Sequence, residues 1–493
     1  MIWWLTVTCA AAAVPTGLRW LRVGQREHYL PRVSRFAWRW WVSTPLNAAL
    51  LTLGLAGAVG SLWSVWPGFL VALVHVGPVG LTVRGRSSPL AWTSRLRRVA
   101  VLAGLLVAFG LVGGAVAGQP SVVAIGLVAI PIIVDLALIG LAPVEEALGS
   151  KWVDKAERKL AAVGADVVAV TGSYGKTTTK GYIAHLLSGR WRVLASPASF
   201  NNRMGLARAI NENLTPGTQV FVAEMGTYGP GEIAEMCSWV RPKVGALVSV
   251  GPVHLERFKS EERIVAAKAE ILDQVTVRVV CIDHPLLERL VAERPDSTPV
   301  IEVSTGDLGS VRVNDGLIWV ADKIVAPAPE GVFASNLAVA IGVALGMGIG
   351  VEEVVSRLGD LPVPEHRQTV TTSGAGFTII DDTFNANPAG ARRALHLLAT
   401  TGGSRAVITP GMVELGPRQE SENENFAAEA AGLADHLVIV GRTNRNALLR
   451  GAEKGKASVT VVDSREEAVA WARAHLGPGD AVLYENDLPD HYP

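Results

Sequence analysis

The chain has 493 residues, with 45 basic and 45 acidic side chains and no formal net charge. Its hydrophobic fraction is 49% and its charged fraction 18%, with a mean hydropathy of +0.30, which excludes a largely disordered chain. Three dispersed cysteines, Cys9, Cys237 and Cys281, exclude a zinc ribbon and a disulfide framework. The length suggests about three domains.

The neutral total conceals two compositions. Residues 1–144 hold eleven arginines, no lysine and only Glu27 and Asp135 as acids, a net +9 that the rest of the chain balances. Apolar runs fill this part: 1–18, 45–63, 69–83, 99–118 and 121–141. A span needs about 20 apolar residues, so the pattern predicts an α-helical transmembrane domain of about five helices over 1–144. The arginines cluster at 19–39 (Arg19, Arg22, Arg26, Arg32, Arg35, Arg39) and at 84–98 (Arg84, Arg86, Arg95, Arg97, Arg98). Basic loops face the cytoplasm, which places the N-terminus outside and everything after Val144 inside. Trp38, Trp40, Trp41, Trp63, Trp66 and Trp92 fall near run ends, as interfacial tryptophans do. Asp135, a carboxylate within an apolar run, is either a packing partner or a pointer to a lipid-linked substrate docked by the helices.

Residues 145–162 read as a mixed-charge linker helix. Next comes a short apolar run, 167–170, then Thr171-Gly-Ser-Tyr-Gly-Lys-Thr-Thr-Thr179, then a helical pattern with Tyr182, Ile183, Leu186 and Leu187 on one face. Strand, glycine loop, Lys-Thr and helix form a phosphate cradle. N–H groups from Ser173 to Thr177 and the helix N-terminus meet the anion, Lys176 reaches the β/γ-phosphates, and Thr177 can ligate magnesium. Strand candidates at 219–223 and 244–250 end in Glu224 and in the segment holding His254, and Lys268 follows on a helix. A carboxylate and an imidazole at strand ends suit a second divalent cation beside ATP.

The segments GSYGKTT, SFNNRMGLARAI (199–210), 222–260, AAKAEI (266–271) and DDTFNANP (381–388) together resemble the Mur ligase family. Within it they are most similar to the type that adds D-alanyl-D-alanine to a UDP-muramoyl tripeptide. The resemblance covers about two-thirds of the chain, 167 to 483. It implies an α/β fold with a P-loop central ATPase domain (163–367) and a Rossmann-like C-terminal domain (368–493). The implied activity is that of an ATP-dependent ligase: a carboxylate becomes an acyl phosphate with release of ADP, and an amine then displaces the phosphate to form an amide. Gly172, Ser173, Tyr174, Gly175, Lys176, Thr177 and Thr178 match the family's phosphate loop. The resemblance makes Thr177, Glu224, His254 and Lys268 the magnesium set, two ions being expected, with Lys268 carried as a carbamate. Asn202 matches an asparagine beside the site, and Arg367 an arginine at the junction to the C-terminal domain. Asn336, Asp382, Asn385 and Asn387 match further nucleotide-closing positions.

Three departures stand out. The family's UDP-substrate domain is replaced by the apolar region. Its adenine-binding His-Asn pair falls on Val332 and Phe333, so stacking on Phe333 is expected instead. Its basic C-terminal stretch is replaced by 485–493, where Glu485, Asp487 and Asp490 could meet a cationic amine. The expectation is a membrane-anchored amide ligase of the bacterial cell envelope, its catalytic domains cytoplasmic. Its expected partners are the lipid bilayer, a lipid-linked or envelope carboxylate and an amino acid or amine, with no nucleic acid. Alternatives are a polyglutamate-type ligase and a catalytically inactive membrane-bound nucleotide-binding protein.

Overall fold

The computed structural model describes residues 1–493 except 86–88, 254, 295–296, 363–368, 384–386, 489–491 and 493. Seven helices come first: α1 (Ile2–Arg26), α2 (Val33–Trp41), α3 (Pro45–Gly60), α4 (Trp66–Val74), α5 (Ser94–Val116), α6 (Pro120–Val128) and α7 (Ile130–Val163). They pack around one apolar core that includes Leu5, Trp20, Phe36, Trp40, Leu96, Leu127 and Val134.

This region departs from the five-span expectation. Among the described residues only α5 is long and apolar enough to cross a bilayer, or three spans if the bent pairs α2–α3 and α6–α7 each count as one. The third apolar run yields the nine-residue α4, and the fifth breaks at Ala129 between α6 and α7. Trp40 and Trp41 are core residues, whereas Trp38, Trp63, Trp66 and Trp92 are exposed. Asp135 is a helix cap: its carboxylate accepts from the N–H groups of Val33 (2.8 Å) and Ser34 (2.9 Å), fixing the start of α2. The linker helix is the second half of α7. It docks through Val153, Ala156 and Leu160 into a core shared with Leu206, Ile210 and Phe221, and ends at the left-handed Gly164 (φ 70°).

The central domain is a nine-stranded sheet: β1 (Asp166–Thr171), β2 (Val193–Ala195), β3 (Val220–Glu224), β4 (Val244–Leu247), β5 (Val277–Cys281), β6 (Val300–Ser304), β7 (Val311–Asn314), β8 (Leu317–Val320) and β9 (Lys323–Pro327). Its order is β2-β3-β1-β4-β5-β6-β7-β8-β9, parallel through β7 and antiparallel thereafter. All five residues of β3 and the last five of β1 are buried, as central parallel strands require. Helix α8 (Lys176–Leu187) covers one face, with Tyr182, Ile183, Leu186 and Leu187 packed beside the helix Ala334–Gly346. Helix α9 (Arg203–Asn213) covers the other.

The second sheet comprises β10 (Thr369–Thr372), β11 (Thr378–Asp382), β12 (Arg405–Thr409), β13 (His436–Val440), β14 (Ser458–Val462) and β15 (Ala481–Glu485). Its order is β10-β11-β15-β12-β13-β14, parallel except for the edge strand β10. This is the Rossmann-like arrangement expected from the alternating pattern after Thr369, with β10 and the β7–β9 meander as additions the sequence pattern did not indicate.

Candidate active site

The site begins where β1 runs into α8. Gly175 takes the left-handed conformation (φ 76°) that turns the loop into the helix, and a Cβ there would lie 2.3 Å from Asn336 Oδ1. Two N–H groups of the loop are already engaged: Ser173 donates to Ser249 O (2.9 Å) and Tyr174 to Ser249 Oγ (2.8 Å). The anion cradle therefore narrows from the expected 173–177 to the leading turn of α8, whose first N–H groups have no intrahelical acceptor. Ser173 and Tyr174 serve to brace that cradle.

Thr177 Oγ donates to Glu224 Oε2 at 3.0 Å, and Lys180 Nζ donates to the same oxygen at 3.0 Å. Asn201 Nδ2 donates to Glu224 Oε1 at 3.2 Å. Burial alone would raise the Glu224 pKa, but the Lys180 and Lys176 charges and the hydrogen bonds from Lys180 and Asn201 overcome it and hold the carboxyl below its ordinary value. Lys176 Nζ donates to Gly172 O at 2.7 Å, and Lys268 Nζ reaches the same carbonyl at 3.2 Å. Lys268 is only 4% exposed. Burial, seconded by the Lys176 charge, pushes its pKa well below that of an ordinary lysine, which favours a neutral, nucleophilic amine. The Thr177 hydroxyl and Glu224 carboxylate are hard oxygen donors that fit magnesium. Among the described residues no three His, Cys, Asp or Glu side chains gather as a metal site, and His254 lies outside those residues.

Beyond the cradle a cavity of about 270 Å³ opens between the two sheets. Tyr174, Gly175, Phe333 and Asn336 line it from the central domain, and Asp382, Asn387 and Arg393 from the C-terminal domain. The Arg393 guanidinium lies 5.5 Å from the Phe333 ring centroid. The phosphate cradle and the carboxylate–hydroxyl pair thus lie beside a cleft with an aromatic wall, at the carboxyl ends of the central strands where ligands of α/β sheets bind.

The chain matches the Mur ligase middle domain over residues 170–316 and the Mur ligase glutamate ligase domain over 366–484. It is 34% identical over 377 residues to the UDP-N-acetylmuramoyl-tripeptide–D-alanyl-D-alanine ligase of Mycobacterium leprae, covering 66% of this chain and 71% of that one. It belongs to the Mur ligase family. The corresponding Escherichia coli ligase is 26% identical, covering 57% of this chain and 65% of that one. Among solved structures, MurF of Thermotoga maritima in complex with ADP is 26% identical with a TM-score of 0.58, covering 69% of this chain and 80% of the other. MurF of Acinetobacter baumannii gives 25% identity and 0.60, covering 69% and 77%. The chain is accordingly an ATP-dependent ligase forming ADP and phosphate.

Within this Mur ligase the structure brings together Gly172, Lys176, Thr177, Glu224 and Lys268 on one side. Tyr174, Gly175, Thr178, Asn336, Asp382 and Asn387 line the cavity on the other. Asn202 requires correction. Its side chain caps α9 by accepting from Gly205 N (2.8 Å), and the asparagine facing Glu224 is its neighbour Asn201. Asn387 likewise caps the helix Pro388–Ala399 through Gly390 N (2.8 Å) while still lining the cleft. His254, Arg367 and Asn385 lie outside the described residues, as does Asp490. Two acids of the C-terminal stretch are not poised for an amine: Glu485 is fully buried against Thr409 Oγ (2.7 Å), and Asp487 pairs with Arg465. Sequence reading missed Lys180, although it lies one helical turn after Lys176, and missed Arg393, which the fold brings over Phe333.

Proposed function

We propose that this Mur ligase is anchored in a bacterial cell membrane, with both Mur domains in the cytoplasm. It joins a membrane-associated carboxylate of peptidoglycan biosynthesis to an amine. The observation that carries the ligase chemistry is the convergence of Lys176, Lys268, Thr177 and Glu224 beside a cleft that both Mur domains line. Lys176 and the leading N–H groups of α8 receive the β/γ-phosphates, and the base stacks on Phe333. Thr177 and Glu224 hold one magnesium ion, which when bound neutralises charge on the transferring phosphoryl group. His254 is assigned to the second ion and Arg367 to the transferring phosphate. The neutral amine of Lys268 adds to CO2 and releases a proton, which leaves a carbamate to face the cations. Asp382, Asn387 and Arg393 close the cleft from the C-terminal side, excluding water from the acyl phosphate, and Asn385 is assigned to the nucleotide.

The first helices support the anchoring. Among the described residues, all but six of the exposed large apolar side chains, Met204, Leu308, Ile324, Val370, Val459 and Val461, precede residue 153. Patches of that kind mark membrane or partner contact. At 1.5 Å per residue, α5 is about 34 Å long, enough for a hydrocarbon core. Arg98 pairs with Glu145 (2.5 and 2.7 Å), so the start of α5 and residue 145 of α7 share one end of a hairpin whose tip, Gln119–Pro120, is uncharged. The ligases it resembles are named for UDP-N-acetylmuramoyl-tripeptide and D-alanyl-D-alanine. Here the family match starts at residue 170, after seven helices, which favours a membrane-borne acid.

Full-length protein in nanodiscs, with MgATP, is offered UDP-N-acetylmuramoyl-tripeptide or extracted envelope lipids as the acid, and D-alanyl-D-alanine or single amino acids as the amine. ADP release with a new amide mass on a lipid-extracted acid is expected. Turnover on the UDP-linked acid alone overturns the membrane-borne substrate. No ADP release from any pair, together with unchanged envelope polymers in cells lacking the protein, overturns the ligase assignment. A reporter fused after Val144 should be cytosolic and one in the 119–120 turn external; the reverse overturns the topology.

A further inference from the structure

All three parts of the chain meet at one short segment, the helix Leu255–Phe258, which directly follows position 254. Leu255 and Phe258 are anchored in the central core. The two residues between them face outward to the other parts. Glu256 Oε1 is held by Arg39 (3.0 Å) and Arg35 of α2. Arg257 has a side chain only 4% exposed; its Nη2 lies 3.8 Å from Glu27 at the end of α1 and 3.1 Å from Glu414 of the C-terminal domain. The same guanidinium sits 4.6 Å from the Tyr228 ring centroid, and Tyr228 in turn lies tilted against His28, ring centroids 5.0 Å apart, with its hydroxyl 3.3 Å from His28 Nε2. The backbone joins in, Glu256 N donating to Glu414 O (3.3 Å), and a Cβ on Gly416 would lie 3.0 Å from Glu256 N. Phe36 of α2 meets Tyr492 edge-on at 5.4 Å.

Backbone strain collects at the same place. Among the non-glycine residues with positive φ, His28 (56°), Tyr29 (61°), Lys259 (70°) and Glu414 (63°) belong to the three partners of this junction. Such conformations cost on the order of 1–3 kcal/mol each and persist only where the surroundings over-determine them.

We infer that Arg257 is a positioning residue through which the N-terminal helices hold the C-terminal domain closed over the nucleotide cleft. A single nitrogen, Nη2, faces both Glu27 and Glu414, so seating the α1–α2 elbow and closing the C-terminal domain stabilise one another. Closure brings Asp382, Asn387 and Arg393 to the cavity wall. The ligase therefore binds nucleotide tightly only with its helical region folded and docked. This deepens the proposed function and rests on its placing of the nucleotide in the cleft.

The test uses full-length protein in nanodiscs, with MgADP binding measured by titration and closure by the distance between spin labels on the exposed Glu212 and Glu453. Glu27→Gln lies on the helical region, far along the chain from the nucleotide cleft, yet should weaken MgADP binding about fivefold to tenfold and broaden the label distance. Glu414→Gln should do the same, and adding it to Glu27→Gln should cost less than the two single effects combined. Arg257→Lys, which keeps one charged nitrogen between the two carboxylates, should recover part of the affinity that Arg257→Met loses. A merely structural junction would lower the unfolding temperature of these variants without moving affinity or distance, and that result overturns the inference. Wild-type protein that fails to bind MgADP would instead overturn the cleft assignment, so the two failures are distinguishable.

Discussion

Replacing Glu224 by glutamine separates the structural and catalytic duties of the site. In the wild type its carboxylate, 2% exposed, accepts from Thr177, Lys180 and Asn201. Glutamine keeps the shape but turns one acceptor into a donor and leaves the Lys180 ammonium, whose side chain is 7% exposed, without a counter-charge. Breaking a buried pair from one side costs about 3–5 kcal/mol. At about 2–4 °C per kcal/mol for a domain of this size, the central domain should unfold roughly 10 °C earlier. Adding Lys180→Met removes the stranded cation and should restore most of that loss, because an apolar replacement of a buried pair is often neutral. The double variant should still lack the extra thermal protection that magnesium adds to ADP, since its metal-facing carboxylate is gone. Thermal unfolding of full-length protein with ADP, with and without Mg2+, reads both effects. A Glu224→Gln transition within about 2 °C of wild type would refute the buried-pair argument. Full magnesium-dependent protection in the double variant would refute Glu224 as a metal ligand.

Lys268→Ala should cut turnover by orders of magnitude, as loss of preorganised charge at a transferring group does, and a short carboxylic acid in the medium should restore part of it. Lys268→Arg should resist that rescue, because it keeps the positive charge and fills the space; wild-type rates in the alanine variant would eliminate the carbamate. The Glu485 carboxyl, raised from 4.5 to about 8 first by burial, with Asp382 adding to the rise against the Thr409 hydrogen bond, contributes stability that is fully present below pH 4.5 and lost as pH rises through 8. Glu485→Gln should therefore gain on wild type in unfolding temperature as pH increases from 4.5 to 8, and a gap that stays constant would sink this reading.

The phosphate loop was legible because its signal is local: a short apolar strand, glycines at fixed offsets, then Lys-Thr opening an amphipathic helix. The C-terminal alternation was legible for the same reason, and β12 falls where its apolar run does. What failed was long-range or a matter of one residue. Choosing between Asn201 and Asn202 turns on which of them caps α9, and the cap is a signal the sequence does hold, since Asn202 stands just before the helix and bonds to the N–H of Gly205, three residues on. Arg393 over Phe333 joins residues that only closure of two domains brings together. Hydropathy gave the apolar lengths but not the breaks. Pro45, Pro67, Pro120 and Pro131 each sit in the first turn of a helix, so they mark starts within what reads as continuous apolar sequence.

The one-sided basic composition of the first 144 residues, eleven arginines and no lysine, has a structural cause. Arg19 donates from Nε to Leu81 O (2.8 Å) and from Nη1 to Val76 O (2.6 Å), Arg22 donates to Thr82 O (3.0 Å), and Arg26 to Pro89 O (3.2 Å). These bonds staple residues 76–82 and Pro89 along α1. Arg98 grips both oxygens of Glu145, Arg35 and Arg39 share Glu256, and the Arg95 guanidinium lies 4.3 Å from the Tyr29 ring centroid. Two of these arginines use two donors at once and one stacks on a ring, which a flat guanidinium does and a single ammonium does not. An ammonium is also more strongly hydrated, so burying one at the fully enclosed Arg22 position would cost more. Arginine-to-lysine exchange should therefore lower the unfolding temperature at 19 and 98, where the charge is kept but the fork is lost, and at 22, where an ammonium would have to be buried.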